Sequence, residues 1–244
     1  METQVNEMKW GKDQPLIELK GITKVYGTGQ AALEALKGID LAIYEGDFVA
    51  VMGPSGCGKS TCMNLLGCLD TPTSGQYLFR GIDIGGLSRN QRALLRRHYL
   101  GFIFQGFNLL SRTSALENVE LPLVYRGMHH TERDRIAHEA LNAVGLSGWE
   151  HHSPGELSGG QQQRVAIARA IATSPTVLLA DEPTGNLDSI RSIEIMELLT
   201  SLNRERGITI MMVTHEPDMA RYASRTVRFH DGLIASDSRE NEVD

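Results

Sequence analysis

The chain has 244 residues, is 41% hydrophobic and 22% charged, and carries a formal net charge of −6. This length is enough for one sizeable core, and the acidic balance argues against bulk nucleic-acid binding, so no nucleic-acid partner is expected. No apolar run approaches the roughly 18 residues of a membrane span, and the polar N-terminus lacks the pattern of a signal peptide. Cys57, Cys62 and Cys68 leave no complete disulfide framework, so we expect a reduced, cytoplasmic setting.

The first half of the chain begins with a flexible tail, predicted over residues 1–15. Alternating apolar positions and turn residues then predict an antiparallel β region over about 16–48 and again over 75–85. Between them, FVAVMG is a short apolar run that stops at a glycine loop, which predicts a buried parallel strand feeding a helix. The next predicted helix carries Arg89, Arg92 and Arg96 on one face, which is either a solvated surface or a contact for an acidic partner.

Another apolar strand, LGFIFQ, follows and ends at Gln105, after which helical patterns dominate residues 106–173. The apolar runs TVLLA and ITIMMV predict two further buried strands. The helix between them has an apolar face at near-helical spacing, formed by Ile190, Ile193, Met196, Leu199 and Leu202. The polar tail from Ala235 onward is predicted to be mobile. Strands that alternate with helices imply an α/β domain with a mostly parallel sheet, whose ligands bind at the carboxyl ends of the strands.

A phosphate-binding loop is the first chemical motif. GPSGCGKS matches G-x-x-x-x-G-K-[ST] and lies between a predicted strand and a predicted helix. Its backbone N–H groups and the helix N-terminus favour phosphate, Lys59 reaches the β- and γ-phosphates, and the Ser60 hydroxyl binds Mg²⁺. The predicted nucleotide-binding residues of this loop are Gly53, Pro54, Ser55, Gly56, Cys57, Gly58, Lys59, Ser60 and Thr61.

The ends of the other strands supply polar side chains for the same site. Asp181 ends a central strand and is expected to hold Mg²⁺ through water, and Glu182 is placed to orient or deprotonate a water that attacks the γ-phosphate. His215 is interpreted as a γ-phosphate contact, and Gln105 as a sensor of Mg²⁺ or of the attacking water. The predicted catalytic residues are therefore Lys59, Gln105, Glu182 and His215, and the predicted metal ligands are Ser60, Gln105 and Asp181.

A second glycine loop, LSGGQQQR, opens another predicted helix. Ser158 followed by Gln161 is a capping box, which needs no glycine, and each glycine near a helix costs about 0.5–1 kcal/mol. Gly159 and Gly160 therefore suggest that another body approaches this backbone closely. The predicted body is an anion, held by the serine hydroxyl, the bare N–H groups and the helix dipole.

The order of these motifs resembles the nucleotide-binding subunits of ATP-binding cassette (ABC) transporters. Besides the two loops, the chain has Tyr26 in KVYG at the place of the adenine-stacking aromatic, Gln105 in the Q-loop, LLADE, GNLD as the D-loop and His215 as the switch histidine. The resemblance extends over about residues 16–233. It implies ATP and Mg²⁺ as ligands.

The resemblance also implies the fold and its division. The fold class is α/β, with a P-loop NTPase (RecA-like) core that has a parallel sheet, an N-terminal antiparallel β subdomain and an inserted α-helical subdomain. Residues 16–244 are expected to form one such domain, with the β subdomain at about 16–48 and 75–85, the helical subdomain at about 106–173, and the core in the remainder.

In this family two subunits form a head-to-tail dimer, in which the signature of one faces the γ-phosphate held by the other. The resemblance thus implies ATP contacts from Ser158, Gly159, Gly160, Gln161 and Asp188. Glu182 is implied as the general base. The dimer is expected to consist of two copies of this chain.

The D-loop departs from the Ser-Ala-Leu-Asp of many members, because this chain has Gly185-Asn186-Leu187-Asp188. That form, with GFIFQGFNLL, SALENVELPL and LSGGQQQRVAIARA, is similar to the subfamily of macrolide exporters and lipoprotein-releasing complexes. It implies an ATPase that drives a membrane permease of the exporter or mechanotransmission type. We expect the permease on a separate chain, contacted by residues 107–125, and the ATPase on the cytoplasmic face of the inner or plasma membrane.

Three other functions remain open at this point. A soluble ABC ATPase of DNA repair or translation usually carries long insertions or tandem cassettes. A P-loop kinase needs an acceptor pocket and has no use for LSGGQ. A catalytically inactive binding module is disfavoured because Glu182 and His215 are both present. The sequence does not identify the transported substrate, the direction of transport or the permease.

Overall fold

The computed structural model describes residues 14–239, so most of the predicted N-terminal tail and the last five residues lie outside it. The strands are β1 (Ile17–Tyr26), β2 (Leu33–Ile43), β3 (Phe48–Met52), β4 (Ser74–Phe79), β5 (Ile82–Asp83), β6 (Leu100–Phe104), β7 (Val177–Asp181), β8 (Thr209–Val213), β9 (Arg225–His230) and β10 (Leu233–Arg239). The α-helices are α1 (Lys59–Leu66), α2 (Arg89–Tyr99), α3 (Ala115–Tyr125), α4 (His130–Ala143), α5 (Gly159–Ile171), α6 (Ser189–Arg206) and α7 (Pro217–Ala220). Within this part of the chain no helix has the length and apolar character needed to cross a membrane.

The strands form two sheets. A four-stranded antiparallel sheet has the order β2-β1-β4-β5, and a six-stranded sheet has the order β10-β9-β3-β8-β7-β6. In the larger sheet β6, β7, β8, β3 and β9 run parallel, and β10 pairs antiparallel with β9 at the edge. The predicted α/β class, with a parallel sheet and a separate antiparallel β region, is therefore confirmed.

The larger sheet is buried on both faces, which explains why its central strands are continuous apolar runs. In β3, Phe48, Ala50 and Met52 pack into a core shared with helices α3 to α6, while Val49 and Val51 pack into a second core with the antiparallel sheet. Alternate side chains of one strand thus join two layers.

The parallel register places the carboxyl ends of neighbouring strands level with one another. Phe104 of β6 is opposite Asp181 of β7, Asp181 is opposite Val213 of β8, and Val213 is opposite Val51 of β3. The residues that immediately follow these strands consequently emerge along one edge of the sheet.

Two predictions about the second half are corrected by the structure. The tail from Ala235 was expected to be mobile, but residues up to Arg239 form β10, because the Arg225 guanidinium binds the Asp237 carboxylate at 2.6 and 2.7 Å. The predicted apolar face of α6 is buried only in part: Ile190 and Ile193 are 70% and 44% exposed. The first turns of α6 extend beyond the core that the rest of the helix covers.

Candidate active site

The phosphate loop joins β3 to α1 and encloses a buried ammonium group. Lys59 is only 8% exposed, and its Nζ donates to the carbonyl oxygens of Gly53 and Pro54, both at 2.8 Å. Gly58 precedes the helix with φ +103°, a left-handed conformation that favours glycine. Among residues 14–239 the Lys59 ammonium forms no ion pair, so its positive charge lies in the loop without a carboxylate within salt-bridge distance.

The remaining loop residues open toward solvent. Pro54, Ser55, Gly56 and Ser60 are exposed, and Thr61 is half-buried. Cys57 is buried below them, with its Sγ 3.8 Å from Lys59 Nζ. The loop therefore presents backbone N–H groups and the Ser60 hydroxyl at the N-terminus of α1, an arrangement that suits an anion.

Two acidic residues follow one another at the end of β7. Burial, followed by the charge of Glu182, raises the pKa of Asp181, and Lys59 partly opposes this shift. Glu182 has φ +46°, which turns its side chain away from the strand direction, and its Oε1 lies 3.0 Å from Nδ1 of His215. The structure thus pairs the predicted base with the predicted switch histidine. Within the described residues no hydrogen bond engages the other carboxylate oxygen of Glu182.

The Gln105 side chain lies at the same edge but faces the D-loop. Its Nε2 is 3.4 Å from Oδ1 of Asn186, and Asn186 Nδ2 donates to the Gln105 carbonyl oxygen at 2.9 Å. Asp188 caps α6 by accepting the backbone N–H of Arg191 at 2.9 Å. The predicted D-loop residue therefore has a structural role at the helix start.

The Tyr26 ring is 38% exposed beside the antiparallel sheet. Its hydroxyl donates to Asp70 at 3.0 Å, and Lys24 Nζ lies 4.9 Å from its ring centroid and 2.6 Å from Asp70. Burial alone would raise the pKa of Asp70, but hydrogen bonds from Lys24, Thr71 and Tyr26 lower it overall. These contacts hold the partly exposed ring at the surface.

The signature loop opens α5 as a capping box. Gln161 N–H donates to Ser158 Oγ at 3.3 Å, and Ser158 N–H donates to Gln161 Oε1 at 2.9 Å, as the sequence predicted. A Cβ at buried Gly160 would come within 3.2 Å of Arg191 Cδ, so a larger residue there would require the Arg191 side chain to shift. Gly159 and Ser158 remain accessible at the helix start.

The two glycine loops are separate within one chain. In the part that the structure describes, no hydrogen bond or ion pair joins residues 158–161 to residues 53–61. The structure places each loop at the N-terminus of a different helix, the phosphate loop at α1 and the signature loop at α5.

Two residues with contacts at this site were not singled out from the sequence. Asn186 binds Gln105, and Gln163, which is fully buried, donates to the Pro183 carbonyl oxygen at 2.7 Å, one residue after Glu182. The departure of the D-loop from Ser-Ala-Leu-Asp was the only signal for Asn186. For Gln163, the sequence carried no signal, because its contact with Pro183 becomes apparent only when α5 is packed against the rest of the chain.

This combination of a P-loop, a parallel sheet and polar strand ends defines a P-loop ATPase. Residues 36–185 match the ABC transporter family, so the chain belongs to that family. A cassette of the family binds ATP, and the fold and motifs of this chain are those of such an ATP-binding cassette.

Close relatives support this assignment and its subfamily. The chain is 52% identical over 225 residues to the macrolide export ATP-binding/permease protein MacB of Marinobacter nauticus, covering 92% of this chain and 35% of the relative. It is 51% identical over 219 residues to an uncharacterized ABC transporter ATP-binding protein of Methanocaldococcus jannaschii, covering 90% and 97%. The chain thus spans about a third of the macrolide export relative, and it resembles the macrolide-exporter and lipoprotein-releasing subfamily.

Solved structures agree with the fold. The chain is similar to the dimeric ATP-binding cassette MJ0796 in a post-hydrolysis state bound to ADP and phosphate, with a TM-score of 0.85 and 44% identity over 93% of this chain and 100% of the other. It is also similar to the CbiO1 protein of Clostridium perfringens, part of an ABC transporter complex, with a TM-score of 0.84 and 30% identity over 93% and 89%.

Proposed function

We propose that this chain hydrolyses ATP as a head-to-tail homodimer and thereby drives a membrane permease of the exporter or mechanotransmission type. The observation that carries the proposal is the edge at which Lys59, Gln105, Asp181 and Glu182 lie, while within the described residues no hydrogen bond or ion pair joins the signature loop to the phosphate loop. A signature that does not reach its own phosphate loop is expected to complete the site of a second copy. The similarity to a dimeric cassette supports this arrangement.

The site residues divide the chemistry among them. Lys59 and the loop N–H groups bind the β- and γ-phosphates, the exposed Tyr26 ring stacks on the adenine, and Ser158 with Gly159 contacts the γ-phosphate held by the partner copy. The attacking water gives its proton to the free oxygen of Glu182, while its own oxygen bonds to the γ-phosphorus. The bond to the bridging oxygen breaks, and ADP and phosphate result. His215 orients Glu182 through the contact at 3.0 Å.

The donor set at the strand ends fits Mg²⁺. The Ser60 hydroxyl, the Gln105 amide oxygen and the Asp181 carboxylate are hard oxygen ligands, which this cation prefers. The raised pKa of Asp181 indicates a carboxylate that lacks a full counter-charge in this structure. Mg²⁺ would neutralise phosphate charge when bound.

A composite site predicts a specific result when two inactive variants are mixed. Lys59→Ala disables the phosphate loop and Ser158→Arg disables the signature, and each alone is expected to lose at least about 100-fold in turnover. In a head-to-tail heterodimer one of the two sites combines an intact phosphate loop with an intact signature. We therefore expect mixing to restore ATP turnover, measured as phosphate release.

The matched control mixes Lys59→Ala with Glu182→Gln, because these two residues belong to the same half-site of one chain. In that heterodimer each of the two sites keeps one of the two defects, so mixing should restore no turnover. Recovery in this control would show that mixing itself, and not a composite site, restores activity. If the Lys59→Ala and Ser158→Arg mixture stays inactive although both variants fold, each chain carries a complete site and the head-to-tail arrangement is wrong.

Permease binding is assigned to a groove between α2, β6, α3 and α5. A cavity of about 480 Å³ is lined by aromatic and aliphatic side chains that include Leu100, Phe102, Phe104, Leu121 and Tyr125. The rings of Phe102 and Phe104 lie parallel with centroids 6.0 Å apart. An apolar groove of this kind suits a short amphipathic helix.

The rim of the same groove is positively charged. Arg96, Arg97 and Arg169 line it, and no Asp or Glu within residues 14–239 does. Arg96 and Arg169 donate to backbone carbonyl oxygens, so their charges are not neutralised by an internal carboxylate. The groove therefore favours a permease segment with an apolar anchor and an acidic residue.

Reversal of one rim charge tests this assignment. Arg97 is exposed, and Arg97→Glu should abolish co-purification of a multi-span membrane protein while ATP-dependent dimerisation continues. Arg204→Glu, an exposed position in the last turn of α6, is the control and should retain the membrane protein. Co-purification with ribosomes or DNA in place of a membrane protein would favour the soluble ABC ATPase.

A further inference from the structure

The Asn186 side chain of the D-loop forms two hydrogen bonds with Gln105, one to its backbone and one to its side chain. Asn186 donates from Nδ2 to the Gln105 carbonyl oxygen at 2.9 Å and accepts from Gln105 Nε2 at 3.4 Å. One side chain therefore binds both the backbone and the amide of the other. An alanine at this position can form neither contact, and a carboxylate can only accept.

Gly185 makes room for the same amide. A Cβ at this position would lie 2.7 Å from Gln105 Nε2 and 3.1 Å from its Cδ, closer than real contacts allow. The backbone of Gly185 is not in the left-handed region, so an alanine there would displace the flexible end of the Gln105 side chain rather than strain the backbone. Gly185 and Asn186 thus contact Gln105 from two sides.

The D-loop that contacts Gln105 also contacts the backbone of Glu182 and the signature. The Gly185 N–H donates to the Glu182 carbonyl oxygen at 3.1 Å, which closes a turn directly after the proposed base. On the other side, Leu187 packs against Gly159, where an added Cβ would be 3.4 Å from Leu187 Cδ2. One short loop thus links Gln105, Glu182 and the signature.

We propose that Asn186 is a positioning residue that, with Gly185, sets the orientation of the Gln105 amide according to the position of the D-loop. This inference rests on the proposed function, in which the D-loop lies along the dimer interface and Gln105 faces the metal. Closure of the dimer would then be communicated to Gln105 through the Asn186 contact, without a change in Lys59 or Ser60. The D-loop departure of this chain has its physical reason in that contact.

The first test observes Gln105 directly in the nucleotide-free chain. Its side-chain amide signals in a ¹H–¹⁵N NMR spectrum are assigned as those missing from Gln105→Ala. Asn186→Ala and Gly185→Ala should both shift these signals, since one removes the hydrogen bonds and the other displaces the amide. Asn90→Ala and Gly86→Ala are matched controls at exposed positions, and they should leave the signals unchanged.

The second test separates positioning from folding or nucleotide binding. Asn186→Ala should raise the Mg²⁺ concentration for half-maximal ATP turnover about three- to tenfold, the range that one hydrogen bond supplies. Affinity for ATP, measured without turnover, should stay within about twofold, because the phosphate loop is untouched. In a Gln105→Ala background, Gly185→Ala should have no further effect, since the side chain that it displaces is absent.

The outcomes distinguish this inference from the proposed function. Unchanged Gln105 signals in both variants overturn the positioning role, even if the chain dimerises and hydrolyses ATP. An effect of Gly185→Ala that persists in the Gln105→Ala background also overturns it. Shifted signals in a chain that never dimerises with ATP would support the contact and contradict the proposed function.

Discussion

At the scale of a single residue, the ionised Asp181 carboxylate lowers the stability of the folded chain. Asp181 ends a strand whose preceding residues are fully buried, and Glu182 follows it directly. Burial and that neighbouring charge raise the pKa of Asp181, and only Lys59 acts in the opposite direction. The ionised carboxylate is therefore less stable in the folded chain than in water, which is a usual property of a site that awaits a cation.

Removal of this charge should stabilise the nucleotide-free protein. Because the pKa of Asp181 is raised on folding, the native state binds a proton more readily than the unfolded state, and the penalty is fully present near neutral pH and vanishes at acid pH. Asp181→Asn should raise the free energy of unfolding by no more than about 1 kcal/mol near neutral pH, since water screens a half-exposed group. Thermal unfolding across pH measures this.

The control for this prediction is Asp218→Asn, whose carboxylate is 80% exposed and should change stability little at any pH. A second readout is the stabilisation by Mg-ATP, which should be smaller in Asp181→Asn than in the parent chain because a proposed metal ligand is lost. A gain in stability that is equal at acid and neutral pH would show that the ionised carboxylate is not its source.

At the scale of an element, β10 shows how a polar segment becomes a strand. Its polar sequence from Ala235 onward predicts a tail, and all but one of the residues of β10 are indeed exposed. The Arg225 side chain, which is largely buried, bonds the Asp237 carboxylate through two nitrogens and also lies 3.4 Å from Asp47. The side-chain hydrogen bond and charge of Asp237 raise the pKa of Arg225, so this bidentate pair fastens the strand to the sheet edge.

The bidentate pair should contribute measurably to β10. Asp237→Asn keeps the size of the side chain but leaves only one acceptor oxygen for the guanidinium. We expect a loss of about 1–2 kcal/mol in the free energy of unfolding, with faster amide exchange along β10 than along β3. Asp218→Asn, which removes an exposed ion pair instead, should cost less than about 0.5 kcal/mol. Equal losses in both variants would contradict a specific role for Asp237.

At the scale of the whole molecule, the exposed start of α6 is the feature that the monomer does not explain. Ile190 and Ile193 lie just after the D-loop and are 70% and 44% exposed, whereas Met196 and Leu199 of the same helix are fully buried. Adjacent exposed aliphatic side chains are typical of an interaction surface. Their place beside Asp188 favours contact with the second copy of the chain.

A double substitution tests that contact. Ile190→Ser with Ile193→Ser should raise the dissociation constant of the ATP-bound dimer about tenfold or more, because two apolar side chains are no longer buried. The dimer can be trapped with Glu182→Gln and followed by size-exclusion chromatography. Leu233→Ser, at a position that is 45% exposed in the β9–β10 hairpin, is the control. A dimer of unchanged affinity would place these residues outside the interface.

The sequence by itself determined the parts that depend on short-range patterns. Continuous apolar runs predicted the buried parallel strands, glycine spacing predicted the phosphate loop, and Ser158 with Gln161 predicted the capped start of α5. Because parallel strands end at one edge, it was also possible to predict that Gln105, Asp181, Glu182 and His215 emerge together. Their chemical roles remain predictions.

Only the tertiary structure decided the contacts between residues that are distant in sequence. The pairing of Asn186 with Gln105, the burial of Gln163 against Pro183, and the strand formed around Asp237 all depend on how separate elements dock. Helical spacing placed Ile190 and Met196 on one apolar face, but it did not show that the core covers Met196 and leaves Ile190 exposed. Local periodicity specifies which face of an element is apolar, whereas only packing specifies what covers it.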